Sequence, residues 1–575
     1  MKKTTETADE NTRQQKLLLW PAVVIVAIQW LLRFILPLIV PDALAPGIFV
    51  GLLLGPLLMV WWIFFSRAPR FDRWSALGAM AVCLTISSLL VDISIKTSMM
   101  GMMFAFFSIP VMSLAFTLWA AASPHLPQRV RRAAMFATIF AASGFWILLR
   151  TDGMSADAKL DFAWRWAPTA EELLLAKHET LPDAAAIASP VTAEAGWPGF
   201  RGANRDGIVR GVRIRTDWAK NPPVLLWRKG VGPGCSSFAV SGDLLYTQEQ
   251  RGDDETVICR RVQTGETVWL HADKARFWDS HAGAGPRATP LLYGGRVYTS
   301  GATGILNALD GSTGEVIWSR NAAGDTGVKI PGWGYAGSPL ADGDELFVAI
   351  AGQILAYDIA TGAKLWSGPD GGESYSSAHI ATIDNVRQVL FLNKRDLTSY
   401  SLPEGKVLWS TPGEGVRIIQ PCIISNNDIL IDTGDLKGLR RISVKKEAGE
   451  WRIENLWTTK KLRPNHNDIV VHKGFTYGID GTSLACIDLE TGNGRWKTGR
   501  FGGQILLLAD QDLILLLSEA GEVVLVEASP ERFREVARMP AIKGKTWNHP
   551  VLVNGVLFVR NAEEMAAFRL APAGS

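Results

Sequence analysis

The stretch Ala308-Leu-Asp310-Gly-Ser-Thr313-Gly314-Glu-Val-Ile-Trp318 decides the fold, because the chain writes it again. Ala356-Tyr-Asp358-Ile-Ala-Thr361-Gly362-Ala-Lys-Leu-Trp366 repeats it, as does Cys486-Ile-Asp488-Leu-Glu-Thr491-Gly492-Asn-Gly-Arg-Trp496. Weaker copies end at Trp269, Trp409 and Trp457, so the six tryptophans follow at intervals of 49, 48, 43, 48 and 39 residues. A period of about 40–50 residues, built from short β runs and glycine turns, predicts a propeller. Each unit reads as a hairpin, a strand ending in Asp, a Thr-Gly turn and a strand ending in Trp. The turn needs a left-handed position, which glycine supplies, and the tryptophan fills the space between neighbouring blades. Eight blades are expected: six ending at these tryptophans, a seventh from Gly503 to about Met539, and an eighth from His549 to Leu570 that lacks its last strand. Val224-Leu-Leu-Trp227 precedes the first unit and supplies that strand, pairing the start of the ring with its end and leaving no exposed edge.

Upstream the character changes. Five apolar stretches, 17–40, 46–65, 75–95, 100–122 and 133–149, each approach the roughly 20 residues that cross a hydrocarbon core as helix. They predict five transmembrane helices. Basic residues in the connecting segments are Lys2, Lys3, Arg13, Lys16, Arg67, Arg70, Arg73, Arg129, Arg131 and Arg132 on one side and Lys96 alone on the other. That bias places the N-terminal tail, 1–16, in the cytoplasm. Five crossings then put everything after Arg150 outside the cytoplasmic membrane, in the periplasm or exterior. Trp20, Trp61, Trp62, Trp74, Trp119 and Trp146 stand near span ends, as interfacial anchors do. Arg33 inside the first span, and Asp92 with Lys96 closing the third, read either as a quinone or proton site or as side chains snorkelling to the interface. Residues 151–196 form a connector in which Thr169-Ala-Glu-Glu172 is a capping box for a short helix. The organisation is thus 1–16 tail, 17–150 helical membrane domain, 151–196 linker and 197–575 all-β propeller.

Composition sets the outer limits. With 59 Lys+Arg against 56 Asp+Glu the net charge is +3, which gives no electrostatic footprint for nucleic acid. A chain 47% hydrophobic and 20% charged is not disordered. The five cysteines, at 83, 235, 259, 422 and 486, are scattered and form neither a CxxC knuckle nor a haem-attachment motif.

A ligand site in a propeller belongs on the central channel. The position just before each innermost strand reads Ser237, Thr289, Ser338, His379, Gln420, Asn467, Gln504 and His549, all polar. Beside them stand Ser236, His281, Arg287, Trp333, Tyr335, Tyr375, Ser376, His466, Asp468, Trp547 and Asn548. Amides, hydroxyls, imidazoles and aromatic rings around one opening suit a polar, planar or sugar-like ligand. The same pattern also arises where strand starts next to turns face a water-filled channel.

The AxDxxTGxxxW unit resembles the repeat of quinoprotein propellers, the pyrroloquinoline quinone (PQQ) group, over roughly 197–570. That group also holds an eight-bladed outer-membrane assembly lipoprotein without cofactor. Trp197-Pro-Gly-Phe-Arg-Gly-Ala-Asn-Arg-Asp-Gly207 resembles the opening segment of PQQ-like bacterial propellers, and five helices ahead of a propeller resemble the membrane-bound glucose dehydrogenase. The enzymatic branch implies PQQ with its carboxylates on Arg287 and Thr289 and its rings against Trp333 or Trp547. Tyr335, Ser338, Gln420 and Asn548 complete that pocket. It implies Ca²⁺ on Asn467 and Asp468, and a base among His466, Asp468 and His549. Electrons would pass to membrane quinone. Against this branch, the blades are near minimal length and the adjacent-cysteine pair of the alcohol-oxidising members is absent. The non-catalytic branch implies no cofactor and a periplasmic protein or glycan as partner, with the lipid bilayer common to both. The binding module is the first expectation and the PQQ-dependent sugar or alcohol dehydrogenase the alternative.

Overall fold

The computed structural model describes residues 17–40, 43–155, 160–177, 195–413, 415, 418–434 and 437–574. The expected cytoplasmic tail and residues 156–159 and 178–194 of the expected linker lie outside the described residues. The chain divides into two compact units, Met1–Ala167 and Pro168–Ser575.

The first unit is helical. Four helices are long and apolar enough to cross a membrane: α1 (Trp20–Ile39), α2 (Leu44–Phe64), α3 (Arg70–Leu90) and α4 (Met103–Ala122). Five were expected, and these four meet the length and apolarity of a span. The fifth stretch forms α5 (Gln128–Gly144), 17 residues long and opening on Arg129, Arg131 and Arg132. Three charges in its first turns and the shorter regular run set it apart from the four. A tight turn, Phe145–Leu148, prolongs it. α5 packs along α3 and α4, with Met135, Ile139 and Ala142 in the same buried cluster as Met80 and Phe116. Arg132 Nε meets Asp72 Oδ1 at 2.5 Å, joining the first turns of α3 and α5. At their other ends, Leu149–Met154 and Leu160–Trp164 form a hairpin, and Arg165 behind it donates to the Leu90 carbonyl at 3.3 Å. Only part of the tryptophan reading holds. Trp20 and Trp74 are exposed, whereas Trp61, Trp62, Trp119 and Trp146 are buried in the bundle. Trp62 packs edge-on to Phe116 and Trp119 at 4.8 and 6.0 Å.

The second unit is the eight-bladed propeller. Its blades are consecutive antiparallel meanders whose innermost strands are Ala239–Ser241, Leu291–Tyr293, Leu340–Asp342, His379–Ile383, Cys422–Ile423, Val470–His472, Gln504–Leu508 and Val551–Val553. We number the blades 1 to 8 in that order. The eighth borrows its outer strand, Val224–Gly230, from before blade 1, with Trp227 opposite Ala567. Four of the six repeat tryptophans bond the next blade, while Trp366 and Trp409 donate within their own blades to Glu345 Oε1 and Gln388 Oε1 at 3.1 and 2.7 Å. Trp269, Trp318 and Trp457 donate from Nε1 to the carbonyls of Gly311, Ile359 and Leu489 at 3.1, 3.2 and 3.1 Å. The Thr-Gly glycine of that next blade lies flat under the ring. At Gly362, φ is +69° and a Cβ would stand 2.6 Å from the Trp318 ring. The repeat therefore encodes a lock between blades: glycine is needed both for its backbone and for the space its missing side chain leaves. In the connector the capping box forms as expected, Thr169 and Glu172 bonding each other's backbone N–H ahead of α6 (Ala170–Leu175).

Candidate functional site at the propeller channel

The eight polar positions do form one ring, and their side chains run along it from blade to blade. Ser237 N–H donates to Thr289 Oγ1 (3.1 Å), Thr289 N–H to Ser338 Oγ (3.0 Å) and Ser338 N–H to Ser377 Oγ (2.9 Å). Ser376 Oγ donates to the Ile419 carbonyl (2.8 Å), and Gln420 N–H to Asp468 Oδ1 (3.3 Å). Asn467 Nδ2 donates to the Gly503 carbonyl, and Gln504 Nε2 to those of His466 and Trp547 at 2.9 and 3.2 Å. Asn548 Nδ2 on Ser236 O (2.8 Å) and Ser237 Oγ on His549 O (2.7 Å) close the circle. Every junction between blades carries such a bond. These groups are buried, and the belt gives inner-strand polar groups partners where the ladder ends, while Gln420 Nε2, Asn467 Oδ1 and Gln504 Oε1 have none. His379 Nδ1 lies 3.4 Å from Gln420 Oε1. Burial, reinforced by the Arg205 charge, pushes His379 down to about 4, so it sits in the belt as a neutral ring.

One end of the channel is closed from within. Innermost strands all run the same way, and the segment 197–209 lies against their far halves. Trp197 bridges to Val240, Leu292 N–H donates to the Pro198 carbonyl at 2.7 Å, and Ile208–Val209 pairs in parallel with Leu507–Leu508. Two buried arginines finish the plug. Arg201 donates to the Ile469 carbonyl at 2.7 Å and faces Asp468 Oδ1 at 3.4 Å. Arg205 donates to the carbonyls of Ala378 (2.7 Å), Ser338 (3.2 Å) and Pro339. Both arginines have positive φ, +60° and +53°, a cost that bulky residues bear only where the surroundings hold them. Gly207 leaves the room, since a Cβ there would stand 2.9 Å from Arg201 Nη2. A cavity of about 480 Å³ opens beside the plug between Asn204, Asp206, His379, Thr382 and Cys422.

At the other end, where the innermost strands begin, half-buried rings form a continuous track. Trp333 packs on Tyr375 (4.8 Å) and His281 (5.8 Å). Lys545 donates to the His281 carbonyl at 3.0 Å and lies 4.0 Å over the Trp547 ring. Trp547 donates to Glu519 Oε1 at 2.7 Å and packs on His466 at 5.1 Å. Burial lowers Lys545 below its ordinary value. Burial, with His549 and Lys545 nearby, brings His466 to about 4. Arg287 is spent on this rim, donating to Asp279, to the carbonyls of Gly283 (2.7 Å) and Ala284 (3.1 Å), and to Trp333 O at 3.3 Å. Tyr335 is fully buried and donates to the Val328 carbonyl.

Residues 270–498 match the family model described as outer membrane protein assembly factor BamB. The second unit is a PQQ-like β-propeller. The BamB of Burkholderia pseudomallei is 28% identical over 175 residues, 28% of this chain and 42% of the relative. A polyvinylalcohol dehydrogenase of a Pseudomonas species is 23% identical over 241 residues, 34% of this chain and 36% of the relative. The chain thus spans less than half the length of these two curated relatives. The solved BamB of Moraxella catarrhalis superposes with a TM-score of 0.44 at 13% identity, covering 61% of this chain and 99% of that one.

The residues of this PQQ-like propeller do not compose a calcium and PQQ pocket. Asp468 is 4% exposed and already committed, with Arg201 and the Gln420 N–H on Oδ1 and His549 Nε2 at 3.2 Å from Oδ2. Burial alone would raise its carboxyl; Arg201, His549 and the Gln420 amide outweigh it and hold the group ionised, below its ordinary value. A guanidinium at that carboxylate occupies the charge a divalent cation would need. Asn467 turns its amide nitrogen to the Gly503 carbonyl and leaves Oδ1 buried without a partner, but the neighbouring Asp468 carboxylate is held by Arg201. Thr289, Ser338, Gln420 and Asn548 are belt members, and Arg287 has no donor turned to a ligand carboxylate. His466 and Asp468 lie two residues apart on either side of Asn467. His549 meets Asp468, while His466 meets Trp547. Arg201, Arg205, Lys545 and Glu519 were not singled out from the sequence. Two arginines bracketed by Gly199, Gly202 and Gly207 were the available signal for the plug.

Proposed function

We infer that this chain is a membrane-anchored PQQ-like propeller that binds a protein partner with the rim where its innermost strands begin. One observation carries the reading. The ring's side chains join blade to blade and Asp468 meets Arg201, whereas the track Trp333–His281–Lys545–Trp547–His466 forms a linked, partly exposed rim of rings around a cation. Large, rigid, partly exposed aromatic rings around a cation are the composition of protein-recognition hot spots. The BamB relatives, whose name places them in outer membrane protein assembly, support a protein as ligand. The dehydrogenase reading would need a calcium carboxylate that Arg201 holds instead.

Membrane placement belongs to the same proposal. α5 starts level with α3, through Arg132 and Asp72, and the chain after it emerges beside the end of α3, through Arg165 and Leu90. The 21 residues of 128–148 rise about 30 Å, the thickness of a hydrocarbon core. On this reading α5 makes a fifth crossing of the inner membrane, shielded by its neighbours, and the propeller faces the periplasm with the N-terminus in the cytoplasm.

The test of the non-catalytic reading is titration of the purified full chain with PQQ and excess Ca²⁺, followed by absorbance and by reduction of an artificial acceptor with sugars or alcohols. No bound chromophore and no reduction are expected. Stoichiometric PQQ with substrate-dependent reduction would overturn it.

A further inference from the structure

α1 carries a charge that the fold buries and does not neutralise. Arg33 is 5% exposed, and among the described residues no carboxylate pairs with it. Its guanidinium lies over the rings of Phe34 and Phe107, at 4.9 and 4.7 Å, and Nε has no hydrogen-bond partner. One turn earlier Gln29, fully buried, donates from Nε2 to the Gly51 carbonyl at 2.6 Å and leaves Oε1 without a partner. The backbone is shaped around the arginine. α1 widens to a π-turn over Leu31–Ile35, a feature found mostly where function demands it. α2 turns Gly47 and Gly51 to it. A Cβ at Gly51 would stand 3.3–3.4 Å from the Arg33 stem, and one at Gly47 would collide with the Leu32 carbonyl. Small residues bring two membrane helices this close, and here the space gained holds an arginine stem.

An uncompensated guanidinium among apolar helices costs several kcal/mol unless an anion reaches it. Its depth decides which anion. Phe107 is four residues from Met103, where α4 begins, so the guanidinium lies about 6 Å inside that end of the span. A head group drawn slightly inward can touch it while its tail stays in hydrocarbon. α4 begins at the end away from the arginine-rich loops, so the leaflet is the one opposite them.

We propose that Arg33, with Gln29 and the Phe34–Phe107 rings, is a binding site for the oxyanion of an anionic lipid head group. The site rests on α1 to α4 crossing a membrane, and carbonate extraction of membranes tests that premise separately: release of the protein would sink the membrane reading itself. The test of the site uses the full chain in nanodiscs of phosphatidylcholine alone, or with phosphatidylglycerol or oleate added, reading the melting temperature and, by native mass spectrometry, the lipid retained. Wild type is expected to retain one phosphatidylglycerol per chain and to melt several degrees higher with it. In phosphatidylcholine alone Arg33→Gln should match or exceed wild type, having shed an uncompensated charge, while its phosphatidylglycerol retention falls at least tenfold. A comparable rise with oleate shows that a carboxylate serves as well as a phosphodiester, and a rise with phosphatidylglycerol only assigns a phosphodiester that no choline cation compensates. Asp42, which lies outside the described residues, is checked with Asp42→Asn, expected to leave retention unchanged. Equal retention by Arg33→Gln, loss in Asp42→Asn, or no lipid retained by wild type would each overturn the proposal, the last whether or not the variants fold.

Discussion

Arg201→Ala should open the plugged end of the channel and cost about 3–5 kcal/mol, the usual penalty for breaking a buried ion pair by removing one partner. The magnitude follows from the site. The Arg201 side chain is 2% exposed and that of Asp468 5%, so neither is rescued by water, and the arginine also surrenders its bond to the Ile469 carbonyl. At roughly 2 °C per kcal/mol for a domain this large, the melting temperature should fall by about 6–10 °C. The pH dependence gives a second signature. In wild type Asp468 is held below its ordinary value, so its contribution is present above the unfolded carboxylate value and is lost only as pH falls through the lower folded one. Without Arg201 burial dominates and raises the group above its unfolded value. The deficit of the variant should then widen with rising pH, by up to about 1.4 kcal/mol per unit, until the folded carboxyl ionises. Arg201→Ala with Asp468→Asn should recover much of the loss. The assay is thermal melting of the full chain in detergent across mildly acidic to neutral pH. A single-variant loss under about 1 kcal/mol that is flat with pH and untouched by the second substitution would refute the plug as a charge-locked element.

Three further outcomes are expected. Gly362→Ala, at φ +69° and under the Trp318 ring, should cost about 2–4 kcal/mol in melting, more than the roughly 1–2 kcal/mol of a left-handed alanine alone. Trp318→Ala should cost about 3–5 kcal/mol, and the pair together clearly less than the sum, since both remove one contact. The His379 ring stays neutral in the fold down to about 4 against 6.5 when unfolded, so stability should drop as pH falls through that window. His379→Gln should flatten the drop by up to about 1.4 kcal/mol per unit.

The propeller was legible because its signal is periodic and local. Asp310, Thr313, Gly314 and Trp318 recur at fixed offsets, each needed by the turn or by the next blade. The closing strand at Trp227 was legible for the same reason, as the one Trp-ended run with no blade of its own. The ring of eight polar residues was also readable, but its role turns on direction. Whether Thr289 or Asn467 points into the channel or sideways to a neighbour depends on carbonyls and amides 36 to 52 residues away, which no local pattern encodes. Asp468 looked like a metal ligand because its partner, Arg201, precedes it by more than two hundred residues. The fifth helix was misjudged at its start, where Arg129, Arg131 and Arg132 belong to the helix and not to the loop before it. Tryptophans at span ends look alike in sequence whether they stay exposed, as Trp74 does, or enter the bundle core, as Trp62 does.

The central claim is that the rim where the innermost strands begin is a protein-binding surface, and site-specific photo-crosslinking in living cells tests it most directly. A photoreactive side chain at Trp333 or Trp547 should give one discrete protein adduct, the same from both positions, and Lys545→Ala should weaken it several-fold. The same probe at Leu365, exposed on the outer strand of blade 3, should give none. No adduct at either rim position, or equal adducts at the rim and at Leu365, would contradict the account.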